Sequence, residues 1–461
     1  MRTSVRDLVQ ASHVCRHWRD TIVSSPCLWT EFECKDLELT RQHLERSRPF
    51  PINVTASSDS DVQAVLALKS ETERFKSLSL HLPLAPLSIV LNQLTDPAPT
   101  LEYFCISVDS CGISIPAKFL GGSTPALKSL QLLRISSQLN FSEFPALTRL
   151  SLITSPGFDM SELLQLFASA QFLEEVSVEF CGHPTPISES QVVVQLPRMK
   201  SLRFSNRFAE FPKRLLFFLD TPFVDKVELD IKLGMSETRT MRDFLPPQLL
   251  HLKVDSMELS VAGVCYDVRF RGPGGEVFIR TVFNDGQGAG GVTQSRWFDS
   301  FEPMLTADVK DLTLDRYVPT QDFDHPSVLR LLMTMDGVRS FIVILCDNTS
   351  IIEALSPPEE GRNILFPHLE SLAFKKTIYT LSGLRKMVRA REKSGFRISK
   401  VFHDQHVHPY RHPTACKAKI MHLRAARLSR LRKPAEVSSQ SIPTVKILSI
   451  SGIIVEFTLL F

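Results

Sequence analysis

Nine cysteines are scattered along the chain without a single C-x-x-C pair. The number is odd, and Cys105 and Cys346 sit inside apolar runs. That pattern does not make a secreted disulfide framework, so buried, reduced thiols in a cytoplasmic or nuclear protein are expected. Long hydrophobic runs are missing as well. The first residues, MRTSVRDLVQ, hold no apolar core of signal-peptide length. The longest apolar stretch, Ile447 to Phe461, falls short of the roughly 20 residues that cross a bilayer and contains Glu456. No membrane partner is expected. Charge of one sign is scarce too: a formal net charge of +3 over 461 residues gives no general pull toward nucleic acid or anionic lipid.

Chemistry-bearing motifs are equally sparse. No glycine run leads into G-K-[ST], no G-x-S-x-G elbow occurs, and no H-E-x-x-H helix is written. Gly286, Gly288 and Gly291 match G-x-G-x-x-G, but VTQSRWFDS after them is a poor helix start, so a surface loop is expected rather than a dinucleotide site. His403, His406, His408, His412, Cys416 and His422 cluster without the tightly spaced ligand pairs of a structural zinc site, which reads as a polar tail. No catalytic residue, metal or cofactor is expected, and the chain is not read as an enzyme.

What the sequence does contain is a period. One pattern recurs: apolar, two spacers, apolar, one spacer, apolar. It begins at Phe75, Leu101, Leu127, Leu147, Leu173, Met199, Val224, Leu249, Val309, Val338 and Leu369. From Phe75 to Leu249 the steps are 26, 26, 20, 26, 26, 25 and 25 residues, inside or beside the range of about 20–29 for leucine-rich repeats. Proline stands two residues before seven of these eleven anchors: Pro99, Pro125, Pro145, Pro197, Pro222, Pro247 and Pro367. With only 29 prolines in the chain, such phasing is not accidental. It suits the first residue of a strand, where no ladder donor is needed. Between the motifs, Met160 to Leu173, Lys213 to Asp220 and Val328 to Met335 carry apolar residues three and four apart and read as helices.

The expected architecture is therefore α/β: a leucine-rich-repeat-like solenoid over residues 35–402, with parallel strands on the concave face and helices outside. In each motif the last two apolar residues turn inward and the residue between them faces out. Those outward positions include Gln131, Ser151, Ser177, Arg203, Glu228, Lys253 and Thr313, the candidate substrate-binding residues. They carry no dominant charge. The step from Leu249 to Val309 is 60 residues and reads as a degenerate repeat with an insertion, holding the strand-like runs CYDVRF and VFIRTVF.

Residues 1–34 do not fit the period. Leu8, Val9, Val14, Cys15 and Trp18 have helical spacing, Pro26 breaks the run, and Leu28 and Trp29 follow. A helix with V-C-x-x-W, a small-residue turn and P-x-L-W resembles the later two-thirds of an F-box. The stretches Glu38 to Ser58 and Leu384 to Val401 resemble the opening helix and strand, and the closing helix and strand, of fungal F-box proteins with leucine-rich repeats. The family's F-box opens with a Leu-Pro helix that would precede Met1, so an N-terminally truncated F-box is expected.

The resemblance implies the substrate-recognition subunit of a Skp–cullin–F-box ubiquitin ligase. Its partners would be a Skp-type adaptor and a protein substrate. Leu8, Val9, Val14, Cys15, Trp18, Leu28 and Trp29 would meet the adaptor. Residues 403–461 form a basic, histidine-containing tail, in which Val445, Leu448 and Ile450 match one more strand. The alternative reading is a non-catalytic repeat scaffold with no ubiquitin role, binding protein or, through that tail, nucleic acid.

Overall fold

The structure, a computed structural model, describes residues 5–109, 114–135, 144–154, 160–180, 193–206, 215–222, 224–233, 253–262, 265–283, 309–315, 326–344, 349–357, 364–375 and 379–403. All of them belong to one compact unit, Met1–Gln405. The loop with Gly286, Gly288 and Gly291, and the tail with its histidines after His403, lie outside the described residues.

An open sheet of sixteen strands runs through these residues. It begins with β1 (Glu31–Glu33), β2 (Ile52–Ala56), β3 (Phe75–His81), β4 (Tyr103–Ser107), β5 (Ser129–Ile135), β6 (Arg149–Thr154) and β7 (Glu175–Phe180). Strands β8 (Val194–Gln195) and β10 (Leu219–Asp220) form a separate parallel pair. The large sheet continues through β9 (Ser201–Asn206) and β11 (Lys226–Leu233). Then come β12 (Ser256–Ala262), β13 (Cys265–Gly272), β14 (Gly275–Phe283), β15 (Asp311–Asp315), β16 (Ser340–Ile344), β17 (Ser371–Lys375) and β18 (Lys400–His403). Neighbours in space are neighbours in sequence except at one place, where the order is β11-β14-β13-β12-β15. Only β13 runs antiparallel to its partners; every other described pairing is parallel.

Register explains why the strands stack. Leu78, Phe104, Leu130, Leu150, Val176, Leu202 and Val227 stand side by side, and all are at most 5% exposed. Against this face pack the helices: α4 (Val62–Ala67), α5 (Leu84–Gln93), α6 (Met160–Ser169), α7 (Pro326–Met333), α8 (Thr349–Leu355) and α9 (Leu381–Lys393). Val65, Leu87, Phe167, Leu331 and Met387 join the strands in a single apolar cluster. Parallel sheets are ordinarily covered on both faces and read as continuous apolar runs. Here the sequence alternates, because the second face stays open.

The prolines have a different place from the one expected. Pro99 lies inside a four-residue turn closed by Leu101 N–H donating to the Ala98 carbonyl at 3.2 Å, and the strand begins only at Tyr103. Leu127, Leu147, Met199, Val224 and Leu369 close equivalent turns with Pro125, Pro145, Pro197, Pro222 and Pro367 at the second position. A turn favours proline there because φ is already near −65° and no N–H is required. In these motifs the first apolar residue is thus the end of a turn, half-buried at Val224 and buried in the others.

The helical expectations hold for Met160–Ser169 and Pro326–Met333. The third, Lys213 to Asp220, ends early: 215–217 are helical, but Leu219–Asp220 is strand. The first strand was not foreseen, since Glu31–Glu33 lies within the segment read as purely helical and pairs with β2. The expected strand start at Leu249 lies outside the described residues. In β12 and the residues leading into it, Val254, Met257 and Leu259 are the buried set. The insertion is a three-strand meander. Its β13–β14 turn reads Gly-Pro-Gly-Gly, and Gly275, at φ +124°, approaches the Asp225 carbonyl so closely that a Cβ would lie 2.5 Å from it.

Among the polar groups buried within this unit, Arg391 and Glu71 carry the clearest energetic consequences. Arg391 on α9 is fully enclosed and donates to the carbonyls of Leu355 (3.1 Å), Leu365 (2.8 Å) and Phe366 (2.7 Å). Burial pushes its pKa down to about 10, so it stays cationic at neutral pH. Glu71 accepts from Arg74 at 2.9 Å and from Arg48. Burial alone would raise its carboxyl, but the two arginines outweigh it and hold the pKa below the ordinary 4.5. Replacing Arg391 with Met strands three carbonyls and should lower the unfolding free energy by about 2–4 kcal/mol in urea titration. Glu71→Gln should cost about 1–3 kcal/mol at pH 7. Because the folded pKa is depressed, the Glu71 contribution exists above 4.5 and disappears as pH falls through the lower folded value. The gap between variant and wild type should therefore close in acid.

Candidate functional site

The N-terminal hairpin is built from α1 (Val5–Ser12), α2 (Arg16–Val23) and a 3-10 turn, Pro26–Trp29. Leu8, Ile22 and Trp29 form its small core, with Ala11 and Leu28 against them. Trp29 is 2% exposed. Its indole N–H donates to the Ile22 carbonyl at 2.8 Å, and its ring meets His43 edge-on at 4.9 Å. The Arg46 guanidinium lies 4.4 Å from its centroid. Both partners belong to α3 (Leu37–Arg46), so Trp29 pins the hairpin to the first strand–helix unit. Burial lowers the His43 pKa, keeping the ring neutral against the indole at pH 7.

The seven adaptor candidates therefore divide. Leu8, Leu28 and Trp29 hold the hairpin together from inside. Val9, Val14, Cys15 and Trp18 face solvent, Val14 at 68% and Trp18 at 53% exposure, with Val23 beside them in sequence and also exposed. Cys15 and Cys27 are exposed thiols, contrary to the expectation of burial, whereas Cys34 and Cys105 are buried. Burial pushes the Cys34 thiol up to about 12, which leaves it inert at neutral pH.

The open face carries the second candidate. Gln131, Ser151, Ser177, Arg203 and Glu228 stand in one register row across β5, β6, β7, β9 and β11, and all five line a hollow of about 390 Å³. Thr313 continues the same row further along, on β15, beyond the hollow. Lys253 does not belong to the row. It precedes β12 and is exposed at a loop; Glu258 takes the position opposite Thr313.

A second row was missed. Ser129, Arg149, Glu175, Ser201 and Lys226 lie two residues earlier on the same strands, face the same way and line the same hollow. Strand alternation alone would have found them. Arg149 pairs with Glu175 at 3.4 Å. Glu228 is shared by Arg203 at 3.5 Å and Lys226 at 2.5 Å.

On the meander the face is denser in charge. Arg269 bridges Glu258 and Glu276, and Arg280 grips Asp267 with two nitrogens at 2.9 and 3.0 Å. That hydrogen bonding raises the Arg280 pKa. Both guanidinium groups flank the Phe278 ring. Glu258, Asp267, Arg269, Phe278 and Arg280, with Ser260 and Asp315, surround a smaller hollow of about 240 Å³. Each named arginine already has a carboxylate opposite it on the next strand, so the cluster staples the inserted strands. Among the described residues no group of three His, Cys, Asp or Glu is placed to hold a metal, and no helix is long and apolar enough to cross a membrane.

No protein-family model matches the chain, and a search of curated proteins finds no significant match.

The two tryptophans of the hairpin should separate cleanly in stability. Trp29→Ala opens a cavity beneath α3 and should cost about 3–5 kcal/mol locally, seen as early loss of helical circular dichroism on heating. Trp18→Ala removes an exposed ring and should change stability by no more than about 0.5 kcal/mol.

Proposed function

We propose that the chain is a leucine-rich-repeat-like solenoid that serves as the substrate-recognition subunit of a Skp–cullin–F-box ubiquitin ligase in the cytoplasm or nucleus. The observation that carries this reading is the division of labour in the hairpin. One tryptophan is buried as a structural pin. The other projects into solvent beside Val14 and Cys15, within the V-C-x-x-W segment that resembles an F-box. An exposed indole with aliphatic neighbours has no packing role in the described residues, and an aromatic anchor of this kind suits a protein interface. The sheet supports the second half of the role. Its polar face is left uncovered over many strands, and such a surface holds a partner by area and a few anchors. The chain would carry no active-site residue, ubiquitin being transferred on its partners.

In this role Val9, Val14, Cys15 and Trp18 contact the adaptor, while Leu8, Leu28 and Trp29 act only by shaping the hairpin. A purified Skp-type adaptor should retain the full chain on a column. The Val14→Ala/Trp18→Ala variant should lose at least about tenfold in retention, since an anchor of this type contributes 2 kcal/mol or more, while its thermal unfolding stays unchanged. Absence of retention of the wild-type chain, or retention indifferent to the double substitution, refutes the reading.

A further inference from the structure

The larger hollow on the open face is not electrically neutral. Its walls bring Arg149, Arg203 and Lys226 together with only two carboxylates, Glu175 and Glu228. Glu175 is matched by Arg149. Glu228 serves both Arg203 and Lys226, so one positive charge has no counter-charge within the hollow. The row Gln131, Ser151, Ser177 between these cations adds hydroxyl and amide donors. The side chains of Arg203 and Lys226 remain 60% and 46% exposed, so both can leave Glu228 for a stronger acceptor without desolvating anything new.

We infer that this hollow is an oxyanion subsite, taking a carboxylate or phosphoryl group carried on an extended segment of a protein partner. Arg203 and Lys226 hold the anion, Arg149 closes the far side, and the serine hydroxyls donate from the floor. Glu228 is the internal competitor that the incoming anion displaces. Charge-assisted hydrogen bonds to guanidinium and ammonium groups are about twice as strong as neutral ones, which favours an acidic ligand over an amide of the same shape. The inference depends on the proposed function only in taking the open face as the partner-binding one.

The test uses the full chain and immobilised peptide libraries that differ only in a fixed central residue: glutamate, phosphoserine, glutamine or lysine. Glutamate- or phosphoserine-centred peptides should be retained over glutamine-centred ones, and less so as salt is added. The ratio of the two acidic arms tells a carboxylate from a phosphoryl ligand. Arg203→Ala/Lys226→Ala should reduce acidic retention about tenfold, as expected for truncating a charged contact, whereas Lys400→Ala on the far strand β18 should not. Glu228→Gln should increase it, a gain that a merely structural ion pair would not give. Equal retention of glutamate and glutamine peptides, a preference for lysine, or a double variant that folds as wild type and binds acidic peptides unchanged overturns the assignment. Retention on the adaptor column reads the hairpin alone, so failure of one test is distinguishable from failure of the other.

Discussion

Lateral stacking of two apolar side chains per strand is the constraint from which the rest follows. A single strand cannot bury its own apolar edges; each needs the strand before and after it. The row from Leu78 to Val227, and the matching row one turn of the pleat further on, form an uninterrupted seam in which every member is sealed by its neighbours. Burying a leucine fully contributes roughly 1.5–3 kcal/mol, whereas an exposed ion pair such as Glu102–Lys128 contributes about 0–1 kcal/mol. The seam therefore decides the fold, and the charged pairs that decorate the strand starts only tune it. A one-residue slip would turn every leucine outward, which is why the register holds across strands joined by connections of different length.

Because one face supplies the stability, the other is released from packing. That freedom is why serine, glutamine, arginine and glutamate can occupy successive strands in a parallel sheet. Glu71 and Arg391 lie outside the middle of the seam: Glu71 ties the turn before β3 to the β2 approach, and Arg391 ties α9 to the carbonyls ahead of β17. Toward the two ends of a stacked array the apolar ladder has fewer partners, and hydrogen bonds fixed by geometry take over. Trp29 plays the same part for the hairpin, combining one hydrogen bond, one aromatic edge and one cation.

The period and the inward pair of each motif were legible in the sequence because side-chain alternation is a local property, visible without any partner. So were the helix and strand at Glu38 to Ser58 and the closing helix and strand. The prolines were seen but given the wrong place, since the turn ends only a few residues before the strand starts and proline is compatible with both. Leu249 and Val254 begin equally good apolar triplets, and spacing alone does not say which of them faces the core. The Gly-Pro-Gly-Gly turn was a readable hairpin signal that went unused. Whether Trp18 or Trp29 faced solvent could not be read from spacing, because the answer depends on His43 and Arg46 arriving from α3.

The meander shows what an interruption of such a seam requires. Between β11 and β15 two extra strands enter, and their inward residues Val268, Phe270, Val277 and Ile279 join the same apolar layer. They do so only because β12 and β14 flank β13 with both outer strands parallel to the sheet, leaving the reversal internal. An antiparallel strand places side chains directly opposite one another, so each outward position faces a fixed partner. Arg269 meets Glu258, Arg271 meets Glu276, and Arg280 meets Asp267. Unlike charges in those places stabilise, and like charges would repel. The consequence reaches the open face. Where the strands are all parallel, charges are thinner and Glu228 is left to serve two cations. On the inserted strands the same kinds of residue are consumed in pairing. The imbalance that suits a ligand thus survives only where the regular ladder runs, on the side of the insertion toward the N-terminal hairpin.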